Sequence, residues 1–256
     1  MDLIKLLRYG FAGLTPGGRR ECVLCGHRVW RFMPYRSGSR GATPLMRAID
    51  MVGSNRDAFE CPRCGSHDRE RHLFLYMQAI GLFSAMRERT VVHFAPEARL
   101  SRRIAEARPA TYVQCDLSPS RPGVEIVDLL DMPFADGSVD VLIASHVLEH
   151  VRDDVLALAE ISRVLAHEGV AVLQTPYSRM LQRTWEDAGI VDAAARLQAY
   201  GQEDHVRLYG RDVFERFATG PLVPEIGNHD ALLPATDGDR FGVNPDEPLF
   251  LYRKRD

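Results

Sequence analysis

The sequence predicts an α/β fold: a doubly wound parallel sheet with a small N-terminal zinc-binding subdomain. Between about residues 69 and 174, short apolar segments alternate with segments whose apolar residues recur with helical period. That alternation is typical of strands and helices in a sheet covered by helices on both faces. Two Cys-x-x-Cys pairs precede this region. The expected boundaries are therefore 1–72 for the zinc-binding region and 73–256 for the sheet domain.

The elements of the sheet domain follow from apolar periodicity, taken in chain order. The pattern predicts helices at 69–82 and up to about 107, strands at 91–94, 111–115, 124–127, 139–145 and 170–174, and a closing strand at 247–253 after an extended segment at 222–226. Before 170–174 it predicts a helix that ends at 167–169 and buries Val151, Val155, Leu158 and Leu165. Such a sheet binds its ligand at the carboxyl ends of its strands, near the point where the strand order reverses.

Composition excludes several classes of protein. The chain has 256 residues, of which 45% are hydrophobic and 26% charged, and this indicates a globular protein without long disorder. No run of about 18 apolar residues occurs, so no segment is expected to span a membrane. The first eight residues predict a short amphipathic docking helix and lack the apolar core and cleavage site of a secretory signal. We therefore expect a cytoplasmic protein that does not contact a membrane.

Charge is distributed unevenly along the chain. The formal net charge is −3, but residues 1–72 contain 13 Lys and Arg against 7 Asp and Glu. A basic N-terminal region can attract RNA or a phosphorylated substrate. The same surplus also fits an arginine-rich surface exposed to solvent, and both interpretations stay open at this point.

Four of the five cysteines form two matched pairs, Cys22 with Cys25 and Cys61 with Cys64. Each pair can place two thiolates on one side of a tight turn, and two such turns complete the tetrahedral shell of a structural zinc ion. A glycine follows each pair, which lets the backbone amides turn toward the sulfurs. Disulfides are disfavoured without a secretion signal, and a redox site would use one pair. The 35 residues between the pairs predict a loop that extends over the ligand site. The fifth cysteine, Cys115, is expected to be a buried strand residue.

Several motifs, taken together and in order, resemble one family. They are Asp116, 131–134 (Asp-Met-Pro-Phe), 136–140 (Asp-Gly-Ser-Val-Asp), 146–151 (His-Val-Leu-Glu-His-Val) and 160–165 (Glu-Ile-Ser-Arg-Val-Leu). The stretch from about 88 to 178 resembles the class I S-adenosylmethionine-dependent methyltransferases, which bind that cofactor on a Rossmann-like sheet. The cysteine pairs are similar to the N-terminal zinc ribbons of some methyltransferases, including enzymes that modify ribosomal RNA.

The resemblance implies how this chain would hold the cofactor. Asp116, at the end of the second strand, is expected to accept hydrogen bonds from both ribose hydroxyls, a task that suits a carboxylate. Asp128 and Leu129 match the position that binds adenine, with an acceptor for its amino group and a backbone amide beside it. Ser145 and His146 end the fourth strand, where the methionine part of the cofactor and the methyl acceptor meet.

The first motif departs from the family pattern. Its glycine-rich turn is here 93–99 (His-Phe-Ala-Pro-Glu-Ala-Arg), which contains no glycine, and a Cβ at each position crowds the cofactor pocket. The resemblance implies that His93, Ala95 and Glu97 lie against the cofactor. Either the turn is reshaped and Glu97 holds the ammonium group, or cofactor binding has been lost. We expect the first, because the ribose and adenine positions are intact.

The expected chemistry is an in-line displacement at a sulfonium carbon, promoted by positioning and by a pocket that excludes water. A base is needed only for an acceptor that carries a proton, such as a hydroxyl. The candidates are His146, Glu149, His150 and His205, each of which can instead be a helix cap or a packing residue. Among them we expect His146 and His205 to take catalytic roles.

Three functions are compatible with these residues. We expect a methyltransferase that acts on a hydroxyl or amine of a small molecule, because the cofactor motifs occur without a strong nucleic-acid signature. The alternatives are an RNA methyltransferase that binds phosphates through the zinc region, and a non-catalytic binding protein that no longer holds the cofactor. Calorimetry with S-adenosylhomocysteine would separate the enzymes from the non-enzyme.

Overall fold

The computed structural model describes residues 3–255. The docking helix predicted at 1–8 is present as α1 (Leu3–Leu14), although Met1 and Asp2 lie outside the described residues. The apolar side chains of α1 that face solvent are Leu3, Ile4, Leu6, Leu7, Phe11 and Leu14. No helix within residues 3–255 combines the length and the apolarity needed to cross a lipid bilayer.

Short elements follow α1 and surround the cysteine pairs. They are β1 (Arg20–Glu21), β2 (Arg28–Val29), a 3-10 turn (Gly38–Gly41), α2 (Pro44–Ala48) and β3 (Met51–Val52). β1 and β2 pair in antiparallel fashion, so the first cysteine pair lies in the turn of a two-stranded ribbon.

The predicted alternation of strands and helices is present after the second cysteine pair. The elements are α3 (Asp68–Ala79), α4 (Leu82–Ala85), β4 (Thr90–Phe94), α5 (Ala98–Glu106), β5 (Thr111–Asp116), β6 (Glu125–Ile126), β7 (Val139–Ala144), α6 (Asp154–Val164) and β8 (Leu165–Val172). The helix predicted at 69–82 is divided into α3 and α4, because Gly81 between them adopts a left-handed φ of 71° that ends the first helix.

The chain after β8 contributes two further strands to the sheet and several short elements. They are β9 (Tyr177–Ser178), β10 (Trp185–Glu186), α7 (Ala193–Tyr200), β11 (Arg207–Leu208), α8 (Val213–Phe217), β12 (Leu222–Pro224), α9 (His229–Leu232), α10 (Gly238–Phe241) and β13 (Leu251–Lys254).

Seven strands form one sheet in the order β12-β13-β8-β7-β4-β5-β6. β13 runs antiparallel to β8 and β12, and the pairs from β8 to β6 are parallel. From β4 the chain proceeds outward through β5 to β6, then returns to β7 on the other side of β4. The junction of β4 and β7 is therefore the switch point at which a doubly wound sheet binds its ligand. The predicted fold class is confirmed.

Alternate side chains of the central strands enter two separate apolar layers, as the two-residue period of a strand requires. In β4, Val92 and Phe94 pack on the layer that contains α6, whereas Val91 packs on the layer that contains α3 and α5. Because both faces are buried, the strand sequences are nearly continuous apolar runs. Cys115 is fully buried in β5, as predicted.

Arg71 on α3 connects the cysteine region to the rest of the chain. Its side chain is fully buried, and its guanidinium stacks on the Phe32 ring at 3.8 Å. It donates hydrogen bonds to the carbonyl oxygens of Ala58, Phe59, Ser66, Phe241 and Gly242. Since these carbonyls belong to separate segments, one side chain fixes the cysteine pairs, α3 and the end of α10 relative to one another. α3 spans the boundary expected between 72 and 73.

The segment from α2 to β3 packs against C-terminal elements. β3 pairs in antiparallel fashion with β9, and Met46 of α2 packs on Ala199 and Tyr200 of α7. This arrangement encloses a cleft between the N-terminal region and the carboxyl edge of the sheet.

Of the predicted buried face of α6, Leu158 and Leu165 are buried as expected, whereas Val155 is not, and the predicted start of the next strand is wrong. Val155 is 60% exposed, because α6 begins only after the Asp153 cap and turns Ala157, Leu158 and Ile161 toward the core. β8 starts at Leu165, directly after the helix. The residues read as a helix end, 167–169, belong instead to an irregularity of the pairing between β7 and β8, where Glu168 adopts a φ of 61°.

Candidate active site

The turn after β4 lies at the switch point of the sheet. Ala95 adopts a φ of 47°, in the left-handed region that favours glycine and that costs other residues about 1–2 kcal/mol. Its N–H donates to the Cys115 carbonyl at 2.8 Å, and the Pro96 carbonyl accepts a hydrogen bond from Arg121. The backbone of this turn thus has a conformation that favours glycine, although the turn contains none. Hydrogen bonds to β5 and to the segment after it hold the turn in place.

The N-terminus of α5 is capped by a carboxylate from α3. Glu70 Oε1 accepts hydrogen bonds from the backbone N–H groups of Arg99 at 2.9 Å and Leu100 at 2.8 Å, and Oε2 accepts one from His67 at 3.3 Å. Burial, together with the charge of Glu97, raises the pKa of Glu70 to about 7. Two N–H groups that a glycine-rich turn could direct at a ligand are therefore occupied by a protein side chain.

His93 and Glu97 form a buried pair at the same turn. His93 Nε2 lies 3.1 Å from Glu97 Oε2, and Nδ1 lies 3.0 Å from the Tyr112 hydroxyl. Burial raises the pKa of Glu97, but the hydrogen bond and the charge of His93 outweigh it, so this pKa lies below its usual value. Glu97 is thus ionised at neutral pH, as a group that binds an ammonium ion must be. Since both ring nitrogens of His93 are paired, His93 acts on the turn through Glu97.

Asp116 ends β5, and Asp128 follows β6 by two residues. Asp116 is half-buried, and its Oδ1 accepts a hydrogen bond from the Ser118 N–H at 2.8 Å, which leaves Oδ2 without a partner among the described residues. Asp128 is exposed, and its Oδ1 accepts from the Leu130 N–H at 2.9 Å. The side chain of Leu129 is buried in the core. Each carboxylate is oriented by one amide of the turn that follows it.

β7 is followed by two polar residues. Ser145 is buried, and its hydroxyl has no hydrogen-bond partner within residues 3–255. His146 adopts a left-handed φ of 56°, a conformation that costs a residue other than glycine about 1–3 kcal/mol and is concentrated at functional sites. Its N–H donates to the Gln174 carbonyl at 2.7 Å, which holds this turn against the end of the neighbouring strand.

The imidazole of His146 lies between two buried carboxylates. Nδ1 is 3.2 Å from Glu149 Oε1, and Nε2 is 3.5 Å from Glu247 Oε1. Burial and the charge of Arg69 lower the pKa of His146, but the two carboxylates outweigh them and raise it to about 9. At neutral pH His146 is therefore a cation that balances part of the negative charge of Glu149 and Glu247.

Glu247 also connects His146 to a chain of buried histidines. Its Oε2 lies 3.7 Å from His72 Nδ1, and His72 Nε2 lies 2.9 Å from His229 Nδ1. The other nitrogen of His229 lies 3.1 Å from the Thr236 carbonyl. Burial raises the pKa of Glu247, but the close ion-pair contacts with His146 and His72 outweigh it and lower the pKa to about 2.

Glu149, His150 and His205 form a second group beside His146. His205 is buried, and its Nδ1 lies 3.2 Å from the Tyr200 carbonyl. The rings of His150 and His205 meet edge to face, with 4.7 Å between their centroids. The structure thus brings the predicted residues His146 and His205 together, and the negative charge of Glu149 acts on both.

A cleft of about 1320 Å³ separates the carboxyl edge of the sheet from the segment between the cysteine pairs. His146, His150 and His205 line one side of it, and the segment between the cysteine pairs lines the other. Arg69, in the first turn of α3, also lines the cleft, and its Nε is buried without a hydrogen-bond partner among the described residues. Asp116 and the adenine position lie outside this lining.

The four paired cysteines form one cluster directly before α3. The Sγ atoms of Cys22 and Cys64 are 3.7 Å apart and those of Cys25 and Cys61 are 4.0 Å apart, and none of the four is in a disulfide. Sulfur atoms that bind one zinc ion at about 2.3 Å lie roughly 3.8 Å apart, so the spacing fits a tetrahedral site. The Ser66 hydroxyl lies 3.2 Å from the sulfurs of both Cys22 and Cys64 and helps to orient them.

Residues 96–173, from the turn after β4 to just beyond β8, match the family model described as a methyltransferase domain. This stretch of the chain is therefore similar to a methyltransferase domain. The matched stretch includes Asp116, Ser145 and His146, and so carries the carboxyl edge described above. No curated protein matches the sequence of the chain.

Several solved structures are similar to this chain. An S-adenosylmethionine-dependent methyltransferase from Mesorhizobium loti shares 16% identity over 69% of this chain and 96% of its own, with a TM-score of 0.46. The YcgJ protein from Bacillus subtilis shares 16% identity over 70% and 99% of the two chains, with a TM-score of 0.39. The MccD protein shares 12% identity over 71% and 96%, with a TM-score of 0.45.

Three charged residues near the site could not be identified from the sequence: Arg69, Glu70 and Glu247. The sequence shows only a run of polar residues at 66–72, where α3 begins. The structure shows that four of them are buried: Asp68, Glu70, Arg71 and His72. Buried charges on a helix that follows a metal-type cysteine pair indicate a site, but they do not indicate its partners. Glu247 stands in a C-terminal segment without a motif, and only the fold brings it to His146.

Proposed function

We propose that this enzyme methylates a hydroxyl or amine of a small molecule that binds in the cleft. The cleft itself carries the proposal, because it joins His146 at the carboxyl edge to an enclosing N-terminal segment. Small-molecule pockets have volumes of about 300–1,000 Å³, so a cleft of about 1320 Å³ has room for an acceptor beside part of the cofactor.

The charges of the cleft also favour a small molecule over RNA. Two charged residues of its lining are paired with residues outside it: Arg36 lies 2.9 Å from Glu203, and Asp50 lies 2.8 Å from Arg179. A nucleic-acid surface would instead present a basic stripe without compensating carboxylates. RNA methylation with the help of the cysteine region is therefore the alternative, and the experiment described below distinguishes it from the proposal.

The polar residues at the carboxyl edge fit the nucleoside part of the cofactor, which supplies a methyl group on a positively charged sulfur when it is bound. Asp116 offers a free carboxylate oxygen for the ribose hydroxyls. Asp128 and the backbone at Leu129 would hold adenine. Buried hydroxyl groups are seldom left unpaired, so the orphaned hydroxyl of Ser145 fits a ligand partner.

The charged end of the cofactor fits Arg69 and Glu97. Arg69 has an unpaired buried nitrogen, and its charge acts on both Glu97 and His146. A guanidinium binds a carboxylate through two parallel hydrogen bonds, and an ionised carboxylate binds an ammonium group. We therefore assign the carboxylate of the methionine part to Arg69 and its ammonium group to Glu97, while His93 and Ala95 shape the turn that holds Glu97.

His146 and His205 would act on the acceptor in different ways. His146 is cationic at neutral pH, so it donates a hydrogen bond that can orient an acceptor oxygen. Burial lowers the pKa of His205, and its Nδ1–H donates to the Tyr200 carbonyl, which leaves Nε2 with a free lone pair. That lone pair can take up the acceptor proton, or it can bind a cation that lowers the pKa of the acceptor.

We also propose that Cys22, Cys25, Cys61 and Cys64 hold a structural zinc ion. A closed shell of four thiolates leaves no coordination position for a substrate. The role of the zinc ion is then to fix the start of α3, from which Arg69 and Glu70 reach the methyltransferase core. In this view residues 1–72 form a zinc-binding region and 73–256 the methyltransferase domain, with α3 shared between them.

The cysteine cluster also bears on the location of the protein. Four free thiols in one cluster fit a reducing compartment, so a cytoplasmic location belongs to the same proposal.

The proposed function is tested by titration calorimetry with S-adenosylhomocysteine, followed by transfer of labelled methyl groups. Asp116→Ala should weaken binding by about 1–3 kcal/mol, the scale of a lost hydrogen bond to a charged group. Glu215→Ala, an exposed carboxylate on α8, is the matched control and should bind like the wild type. Unchanged affinity of Asp116→Ala would refute the ribose role.

Labelled donor is then supplied with pools of small hydroxyl and amine compounds and, separately, with total RNA. Label in the small-molecule fraction supports the proposal. Label in RNA, with affinity for RNA that falls steeply with salt, would replace it with the nucleic-acid alternative.

A further inference from the structure

We propose that Glu149, His150 and His205 form a second metal site, which binds a divalent cation in the cleft and, through it, a hydroxyl oxygen of the acceptor. One potential ligand atom from each side chain lies within 4.8 Å of the others. Within residues 3–255, the four-cysteine cluster is the one further group of three or more such side chains found this close together. The inference rests on the proposed function and narrows its acceptor to a hydroxyl.

His205 has the tautomer and the surroundings of a metal ligand. A backbone carbonyl can only accept a hydrogen bond, so the 3.2 Å contact with Tyr200 places the proton of His205 on Nδ1. Nε2 is then unprotonated, buried, and without a partner among the described residues. Metal-binding histidines characteristically donate their other N–H to a carbonyl or carboxylate, which fixes the ring.

His150 has the corresponding contact with a carboxylate. Its Nδ1 lies 3.2 Å from Asp204 Oδ2, and this leaves Nε2 as the nitrogen available to a cation. The ring is half-buried and lines the cleft, as His205 does. The two imidazoles therefore come from different segments, one just after β7 and one before β11, and converge on one point of the cleft wall.

Glu149 supplies the negative charge. It is 1% exposed, and its Oε2 accepts a hydrogen bond from the Thr175 hydroxyl at 3.1 Å. Its Oε1 lies at ion-pair distance from His146 but has no partner in hydrogen-bond geometry. A buried carboxylate surrounded by histidines is stabilised by a cation, and a metal ion at this point would face it directly.

The donor set selects the kind of cation. Two imidazoles and one carboxylate suit zinc and other first-row divalent metals, whereas magnesium and calcium prefer oxygen ligands. Three protein ligands leave a position open, and here it faces the cleft. Ligand atoms that bind one ion at about 2.1 Å lie roughly 3.0–3.4 Å apart, so the three groups must approach one another by at most about 1.5 Å on binding.

An acceptor hydroxyl bound at the open position would lose its proton more readily, as metal-bound water does. The proton passes to water in the cleft. An oxygen lone pair then forms the O–CH₃ bond while the S–CH₃ bond breaks, and its electron pair stays on sulfur to give the neutral thioether. His146, as a cation beside Glu149, can orient the same oxygen.

The test is a titration of metal-free protein with Co²⁺, followed by visible spectroscopy. Cobalt at the four-cysteine cluster gives intense thiolate-to-metal charge-transfer absorption, whereas cobalt at imidazole and carboxylate ligands gives only weak d–d bands. We expect two equivalents of bound cobalt in the wild type and one in His205→Gln and in Glu149→Gln, with the charge-transfer absorption unchanged. His167→Gln, an exposed histidine in β8, is the matched control and should bind two.

A single equivalent in the wild type, or two in both variants, would overturn the second site. Unchanged thiolate absorption in the variants shows that they are folded around the cysteine cluster. Addition of a vicinal diol such as catechol should shift the d–d bands of the wild type but not the thiolate absorption, and no shift would overturn the acceptor part. Calorimetry with S-adenosylhomocysteine reports separately on the proposed function, because loss of the second site leaves Asp116 and Glu97 intact.

Discussion

The cap that Glu70 forms on α5 makes a testable link between the cysteine region and the cofactor turn. Glu70→Ala removes both hydrogen bonds to the α5 N-terminus, from Arg99 and Leu100, and the bond from His67. The first two N–H groups then lack a partner at a buried helix end. The variant should therefore be less stable and should bind the cofactor product more weakly, since α5 follows directly on the turn that holds Glu97.

The expected loss of stability can be worked out from these contacts. Two hydrogen bonds to a charged group contribute about 1.5–3 kcal/mol each. Burial of the carboxylate opposes them: a pKa raised from 4.5 to about 7 corresponds, at about 1.4 kcal/mol per pKa unit, to roughly 3.5 kcal/mol. The difference is about 1 kcal/mol, which agrees with the cost of about 0.5–2 kcal/mol for loss of a helix cap.

Urea unfolding followed by circular dichroism at pH 7 measures this free energy, and a thermal scan should show a melting temperature lowered by about 2–4 °C. The control is Glu106→Ala on the same helix, whose carboxylate pairs with Arg102 and Arg103 at the surface. Because that pair is exposed to solvent, its loss should leave the unfolding midpoint close to that of the wild type. If Glu70→Ala and Glu106→Ala unfold at the same urea concentration, the cap does not stabilise α5 and the reasoning fails.

Two further predictions concern the strained turns and the charge of His146. Ala95→Gly should raise the free energy of unfolding by about 0.5–1 kcal/mol, because glycine adopts the φ of 47° without the penalty of a Cβ and loses only part of that gain to chain entropy; a destabilised variant in urea would contradict it. The pKa of His146 is raised to about 9, so its contribution to stability is complete below about pH 6.5 and is lost as the pH rises through 9. Unfolding measured from pH 6 to 10 should show this loss in the wild type and not in His146→Gln, and parallel curves for the two proteins would count against the ion pairs with Glu149 and Glu247.

Local patterns predicted the sheet correctly because the strands are buried on both faces. A strand such as Val139–Ala144 is apolar along its length, and that composition is visible without knowledge of its neighbours. The cluster of Cys22, Cys25, Cys61 and Cys64 was equally accessible, because two short turns of fixed spacing can meet in one tetrahedron. The prediction failed where a helix passes directly into a strand, at Leu165, because both elements are apolar there and a pairing irregularity replaces the loop.

The order of strands and helices, the cysteine cluster and the polar residues that end the strands could all be read from local sequence, since each depends on neighbours a few positions away. Three features became visible only in the folded chain: Glu70 caps α5, Glu247 holds His146 as a cation, and His150 and His205 converge beside Glu149. These groups come from distant parts of the chain, and their charge states are set by burial and by one another. No local pattern encodes such contacts, because their energies exist only after the sheet and the cysteine region have packed together.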